Sequence, residues 1–523
     1  MTQSFFISVD NEEAEFAQEK ITFQMSFALP DKTAAYHARH SLPEHARCEL
    51  GRTGLIVSRL GFGCYRVDEI TAEHTAALRL ALRSGINLID TSTNYTDGGS
   101  ERLIGRVLQE LIKSGELQRE EVVVVSKAGY VQGQNLHLAQ ERERQSRGFP
   151  EMVKYMQNCW HCLHPDFLSD QLFRSLARLQ LDHLDVLLLH NPEYFLSDAL
   201  HRKNGDIEAI RQEYDRRLRE AFVFLEKQVA AGRIAYYGVS SNTFPHAASH
   251  PEFTSLERLW EIAESLSPPH HFRVIQFPAN LFETGAMFEK NQCDQTQTLL
   301  EFAREKKLAT LVNRPLNAMG GDRMVRLASF STLAPAEAEK IFPKQIEALA
   351  AAEKRFAQTV FHELNFERFV KADRPIFAWG EHLQDGLTLF QNWAHWDHVK
   401  QHVIEPQTET ALHALREKAG GAAKWEVWET FYRGCLAAVI DTLSRYHGRD
   451  AAADADRLSR QLDEAVPGLK TSPALSQKAL RVLLNVPGLD GVLLGMRRPQ
   501  YVEDGVAALR AERINNILPA IQK

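Results

Sequence analysis

From about residue 60 the chain alternates short β-branched runs with amphipathic helical stretches, and it does so eight times. LGFGCYRV, NLIDTST, EVVVVSKAG, HLDVLLLHNP, AYYGVSSN, RVIQFPAN and LATLVNRPL read as seven strands in succession. LDGVLLGMRR supplies the eighth, far downstream. Between them lie helices such as TAEHTAALRLALRSG, closed by Gly85. SERLIGRVLQELIKSG is another, opened by a Ser100 cap and closed by Gly115. Repeated βα units demand a parallel sheet. Eight of them favour a closed (β/α)8 TIM barrel over an open doubly wound sheet. The open sheet would carry a glycine-rich phosphate turn after its first strand, and here that position reads CYRVDEI.

The 523 residues exceed one barrel by roughly the size of a second domain. The surplus falls in three places. Residues 1–45 precede the barrel as an N-terminal extension. Residues 130–165 read as a long polar loop after the third strand. Residues 320–470 form a mainly helical insertion between strands 7 and 8, so the barrel resumes over 471–523. The insertion holds five of the seven tryptophans, which argues for a packed core of its own. Entering after strand 7, it is placed to cover the barrel mouth.

A net charge of −7 with both signs interspersed gives no nucleic-acid or membrane surface. Six scattered cysteines do not make a secreted disulfide framework. The acidic start MTQSFFISVDNEEAEF lacks the basic and apolar regions of a signal peptide, so a cytoplasmic location is expected.

A barrel works at the C-terminal ends of its strands. That rule selects Asp90, Tyr95, Lys127, His190, Asn242, Gln276, Asn313 and Arg497. Of these, Asp90, Tyr95, Lys127 and His190 come from strands 2, 3 and 4 and converge on one mouth. A buried lysine needs a counter-ion, and Asp90 on the adjacent strand is placed to supply it. A lysine beside a tyrosine is expected to lower the phenol pKa. Such a phenol can protonate a carbonyl oxygen as hydride reaches its carbon, with His190 hydrogen-bonded to the same oxygen.

These segments together resemble the aldo-keto reductases, over most of residues 46–320 and 472–515. CELGRTGLIVSRLGFGCYRV is similar to that family's entry hairpin and first strand. INLIDTSTNYTDGGSERLIGRVL resembles its most diagnostic segment, and LDHLDVLLLHNP and GRIAYYGVSSNTF its fourth and fifth strands. The resemblance implies an oxidoreductase interconverting a carbonyl and an alcohol with NADP(H), NAD(H) remaining open. Tyr95 would be the general acid/base, Lys127 and Asp90 its tuning pair, and His190 the carbonyl orienter. Ser241, Asn242 and Gln276 would hold the nicotinamide carboxamide, with the doubled Ser240-Ser241 leaving open which serine does so. Asn313 and Arg314 stand where the family usually has a stacking aromatic ring. Gly495, Arg497, Arg498 and Glu503 would line the phosphate and adenine loop, the arginine pair favouring the 2′-phosphate of NADPH. Gly505 stands where the family commonly has Asn.

The implied partner is a small carbonyl or alcohol, with no nucleic acid and no membrane. Polar and aromatic residues of the 130–165 loop suit a sugar or hydroxylated ketone. CWHCLHP offers Cys159, His161, Cys162 and His164, but without a second cysteine pair it reads as a substrate or structural loop, and no metal is expected. An alternative is an NADPH-sensing protein on the same scaffold, which would bind cofactor without ordinary turnover.

Overall fold

The computed structural model describes residues 27–521, apart from 203–205, 267, 321–322 and 370–374. Most of the expected extension, residues 1–26, lies outside the described residues; within it, Pro30–Arg39 forms a helix.

Eight parallel strands close into a barrel in chain order. They are β1 (Leu60–Gly63), β2 (Leu88–Asp90), β3 (Val123–Ala128), β4 (Leu184–His190), β5 (Ile234–Ser240), β6 (Phe272–Pro278), β7 (Ala309–Asn313) and β8 (Gly491–Leu494). The helices that follow them are α1 (Ala72–Arg83), α2 (Gly99–Lys113), α3 (Pro165–Leu179), α4 (Ile207–Ala230), α5 (Leu256–Leu266), α6 (Leu299–Glu305), α7 (Leu475–Leu484) and α8 (Pro499–Arg510). Strands β3 and β4 are buried along their whole length, which is why they read as unbroken apolar runs. Leu88, Val123, Val125, Val186, Leu188, Val274, Leu311 and Leu493 fill the interior. An antiparallel hairpin, Arg47–Glu49 with Ile56–Ser58, adds Leu50, Leu55 and Val57 to that core and closes the N-terminal end.

Two local expectations change. Helix α2 starts at Gly99, one residue before the expected cap, and the Ser100 hydroxyl instead pairs with Thr91 Oγ at 2.6 Å. The segment after β3 is not irregular. Tyr130–Val131, Val153–Met156 and Cys159–His161 form a three-stranded antiparallel sheet, and Gly133–Arg144 is a helix. These strands are two to four residues long and mixed in polarity, so no period-2 signal announces them.

A second compact unit comprises Ser329–Leu458. Its long helices, Pro335–Arg355 and Ala423–His447, pack around Trp396, Trp425, Trp428 and Tyr432, all fully buried. Two of these indoles are hydrogen-bonded as well as buried: Trp428 Nε1 donates to Ala352 O at 2.9 Å, and Trp396 Nε1 to Ser444 Oγ at 2.9 Å, whereas Trp425 Nε1 is buried without a hydrogen-bond partner. Among the described residues no helix is long and apolar enough to cross a membrane.

The register between β5 and β6 carries a bulge: Tyr237 faces Phe272 while Gly238 faces Val274. There the backbones approach so closely that a Cβ on Gly238 would stand 1.8 Å from the Val274 carbonyl oxygen. Gly238→Ala is therefore expected to cost about 3 kcal/mol or more, because a strand and not a flexible side chain must move. Urea denaturation of the variant checks this; an unchanged midpoint would mean that the bulge relaxes freely.

Candidate active site

Lys127 is the centre of the mouth. It ends the apolar run of β3 and is fully buried. Its ammonium has three hydrogens, and each has an acceptor: Asp90 Oδ2 at 2.7 Å, Thr91 O at 2.8 Å and Tyr95 Oη at 3.2 Å. Asp90, at the end of β2, takes its second hydrogen bond from Gln276 Nε2 at 2.7 Å. Gln276 Oε1 in turn accepts from Ser240 Oγ at 3.1 Å. One polar network thus ties β2, β3, β5 and β6 together. Burial pushes the Lys127 ammonium down and the Asp90 carboxyl up, and their mutual attraction opposes both.

Tyr95 stands in a 3-10 turn, Tyr95–Gly98, between β2 and α2. Thr96, Asp97 and Gly98 there have φ of 46°, 56° and 82°, three consecutive left-handed residues of which one is β-branched. That conformation is costly and persists only where neighbours over-determine it. Thr96 Oγ donates to Val67 O at 2.7 Å, and Asp97 Oδ1 accepts from Gln134 N at 2.9 Å. Just beyond, the buried Glu101 carboxylate takes Ser126 Oγ and Arg178 Nε, both at 2.7 Å, pinning the start of α2 to β3 and α3.

The Tyr95 phenol differs from expectation. Burial, and then the Asp90 charge, hold it well above its ordinary value instead of lowering it. His190, buried at the end of β4, is pushed well below the ordinary imidazole value by burial, then by Lys127 and His161, and is therefore neutral at pH 7. Its Nδ1 shares a 3.0 Å hydrogen bond with Ser92 Oγ. Tyr95 and Tyr130 meet the imidazole edge to face, at 5.9 and 4.6 Å between ring centres.

Asp90, Tyr95, Lys127 and His190, four of the eight residues selected by strand position, therefore come together. Those matched to cofactor positions divide. Gln276 is engaged by Asp90 and Ser240, though one amide hydrogen and one carbonyl lone pair remain. Ser241 Oγ pairs with Thr243 Oγ at 3.1 Å, whereas Ser240 turns to Gln276. Asn313 Oδ1 and Arg314 Nε are buried without a hydrogen-bond partner, and Arg314 Nη2 pairs with Glu283 at 2.5 Å. Gly495 borders open space, since a Cβ there would meet nothing within 4 Å. Arg497 and Arg498 immediately precede α8, with Arg498 Nε 3.3 Å from Glu73. Glu503 is exposed on α8. Gly505 is buried, and a Cβ there would stand 2.8 and 2.9 Å from the Leu60 and Leu494 methyl groups, so α8 packs closely on β1 and β8 at this point. Orphaned polar atoms at the end of β7 and an open glycine ahead of a helix N-terminus suit a nicotinamide dinucleotide.

Cys159 and Cys162 do not form a ligand set. Cys162 Sγ faces Pro150 O at 3.4 Å, and His161 Nε2 is bonded to His190 O at 2.7 Å. Among the described residues no group of three or more His, Cys, Asp or Glu side chains is placed to hold a metal ion.

Strand-end reasoning missed Glu193. It lies three residues past His190 and is 3% exposed. Its Oε1 accepts from the Asn242 backbone at 2.8 Å, so it positions the loop after β5. Its Oε2 is buried without a hydrogen-bond partner. An acidic residue directly after the LLLHNP strand was the available signal.

The profile of the Aldo/keto reductase family matches residues 59–320, half of the chain. The chain belongs to that family. It is 28% identical over 206 residues to the NAD(P)H-dependent D-xylose reductase of Scheffersomyces stipitis, covering 37% of this chain and 51% of the relative. It is 26% identical over 268 residues to the aldo-keto reductase YhdN of Bacillus subtilis, covering 50% of this chain and 59% of the relative. The chain thus spans about half the length of these curated relatives. An aldo/keto reductase from Klebsiella pneumoniae, crystallised with NADP and acetate, overlays with a TM-score of 0.41 at 16% identity, covering 90% of this chain and 92% of that one.

Burial, chiefly, raises the Glu193 carboxyl from 4.5 to about 7. The stability contributed by the protonated form is complete below about pH 4.5 and is lost as pH rises through 7. Glu193→Gln keeps a carbonyl acceptor for Asn242 and removes the buried charge. Relative to wild type it should gain about 1–3 kcal/mol between pH 5 and pH 8. Urea denaturation at the two pH values measures the difference; a constant offset would contradict the burial argument.

Proposed function

We propose that this protein is an NAD(P)H-dependent oxidoreductase that interconverts a small aldehyde or ketone and the corresponding alcohol, with Tyr95 as general acid/base. One observation carries the reading: Lys127 spends its third hydrogen on the Tyr95 oxygen. The phenol oxygen therefore accepts from within the protein, and its own O–H is left to donate outward to a carbonyl oxygen. A phenol held protonated by burial suits proton delivery, which favours the reductive direction. His190, neutral, would donate its Nε2–H to the same substrate oxygen in the tautomer whose Nδ1 accepts from the Ser92 hydroxyl. Asp90 keeps Lys127 charged and in place without touching the substrate.

When bound, a reduced nicotinamide supplies the hydride. Ser241, Asn242 and Gln276 would hold its carboxamide, and Glu193 would fix Asn242 from behind through the backbone. Asn313 and Arg314 stand where the family stacks an aromatic ring, and their unpartnered atoms give that position polar donors and acceptors instead. Gly495, Arg497, Arg498 and Glu503 would receive the phosphates and adenosine ahead of α8, where the helix N-terminus favours an anion. The two arginines favour NADPH over NADH. The NAD(P)H-dependent D-xylose reductase among the relatives supports both the cofactor class and a carbonyl substrate.

Tyr95→Phe should lower kcat for NADPH oxidation by about 10²–10⁴-fold across a panel of aldehydes and ketones. NADPH binding, followed by fluorescence, should remain. Undiminished turnover in the variant would remove Tyr95 from the chemistry, and NADPH binding without turnover in wild type would favour a sensor.

A further inference from the structure

Far from the strand ends that carry the active site, the N-terminal end of the barrel gathers cations. Arg273 is the residue inserted by the bulge between β5 and β6: Tyr237 faces Phe272, Gly238 faces Val274, and Arg273 has no counterpart across the pair. Bulges re-aim a side chain, and here the side chain is a guanidinium only 9% exposed. Its Nη1 donates to Phe272 O at 2.9 Å. Arg52, in the turn of the closing hairpin, lies over the Trp260 ring at 5.1 Å, and Lys306, at the end of α6, at 5.6 Å. His270 meets the same indole edge to face at 4.7 Å between ring centres.

Acceptors do not match these donors. Among the described residues no carboxylate forms an ion pair with Arg52 or Arg273. Glu264 faces Arg52, and Glu226 faces Arg273 and His270, at longer range. Glu226 is already taken by His271 Nδ1 at 2.8 Å, His271 N at 2.7 Å and Tyr237 Oη at 3.0 Å. Glu305 pairs with Lys306 at 3.0 Å. Trp260 Nε1 and His270 Nδ1 are both buried with no hydrogen-bond partner. Burial and the neighbouring guanidiniums push His270 down to about 4, so the ring is neutral and can donate a single N–H. Arg273 is likewise lowered by burial and by Arg52. A buried guanidinium without a counter-charge is costly, and a second one beside it raises the cost.

We propose that Arg273, Arg52 and Lys306, grouped around Trp260 and His270 beneath β6 and β7, form a binding site for a phosphate-type oxyanion. Planar guanidiniums present forked donors that match a tetrahedral oxyanion, and the orphaned indole and imidazole nitrogens add neutral hydrogen-bonding groups. The anion is either inorganic phosphate or the phosphoryl group of a small phosphomonoester. Because the site lies at the stabilising end of the barrel and not at its mouth, occupancy acts on fold stability and not on the chemical step.

The test is thermal unfolding of the full chain in chloride, inorganic phosphate or glycerol 3-phosphate at matched ionic strength. At about 20 mM phosphate, wild type should rise by about 2–5 °C over chloride. Arg52→Ala, an exposed change that cannot empty the core, should lose more than half of that rise, and Arg273→Gln nearly all of it. Arg498→Ala, at the other end of the barrel, should keep it. A larger shift with glycerol 3-phosphate identifies the ester as the better ligand, and a larger one with phosphate identifies the free ion. No shift in wild type, a shift retained in Arg52→Ala, or one lost in Arg498→Ala would overturn the proposal.

Discussion

The contact on which the site depends is the ion pair between Lys127 and Asp90. Both groups are removed from water, and a buried ammonium survives only if every hydrogen is placed. Lys127 satisfies that demand with Asp90, Thr91 O and Tyr95 Oη, so the need to satisfy a lysine also fixes the tyrosine. Gln276 extends the constraint to β6, and Ser240 carries it to β5. Removing either charge would leave the other stranded in the barrel interior, typically at a cost of about 3–5 kcal/mol. The pair is thus an obligation that orders the mouth more than a source of net stability.

Around it the chain places strain where geometry needs it. The left-handed run at Thr96, Asp97 and Gly98 is held by Val67, by Gln134 and by α2, which Glu101 fastens to β3 and α3. The turn that presents Tyr95 is therefore determined from three directions. The loop after β5 is held differently, by a buried carboxylate whose second oxygen has no hydrogen-bond partner. Two neighbouring loops of one mouth are thus fixed by different means, one by several polar contacts from separate elements and the other by a single buried carboxylate.

The barrel was legible because parallel strands covered on both faces read as continuous apolar runs, and VVVVSK and DVLLLH could be little else. The four mouth residues were legible because strand ends converge. What escaped depends on partners distant in the chain. The sheet over residues 130–161 exists through pairing of very short strands, which have no periodicity to detect. The position of Arg273 follows from the register of β5 against β6, and no local pattern encodes a bulge. The Tyr95 phenol stands above its ordinary value and not below it because burial, a consequence of the whole fold, comes first, and the Asp90 charge adds to it. Gly505, which stands where the family commonly has Asn, lies in close packing against Leu60 and Leu494, neighbours that come from β1 and β8 and not from its own helix.

The central claim is that Lys127 and Asp90 hold Tyr95 as a protonated donor aimed at the substrate. The most direct measurement is the rate of hydride transfer in a single turnover of NADPH with an aldehyde, followed from pH 6 to pH 10 in wild type and Tyr95→Phe. A phenol held above its ordinary value should keep the wild-type rate level to at least about pH 9, with Tyr95→Phe far below it throughout. A wild-type rate that falls around pH 7, with Tyr95→Phe tracing the same curve, would mean that another group donates the proton.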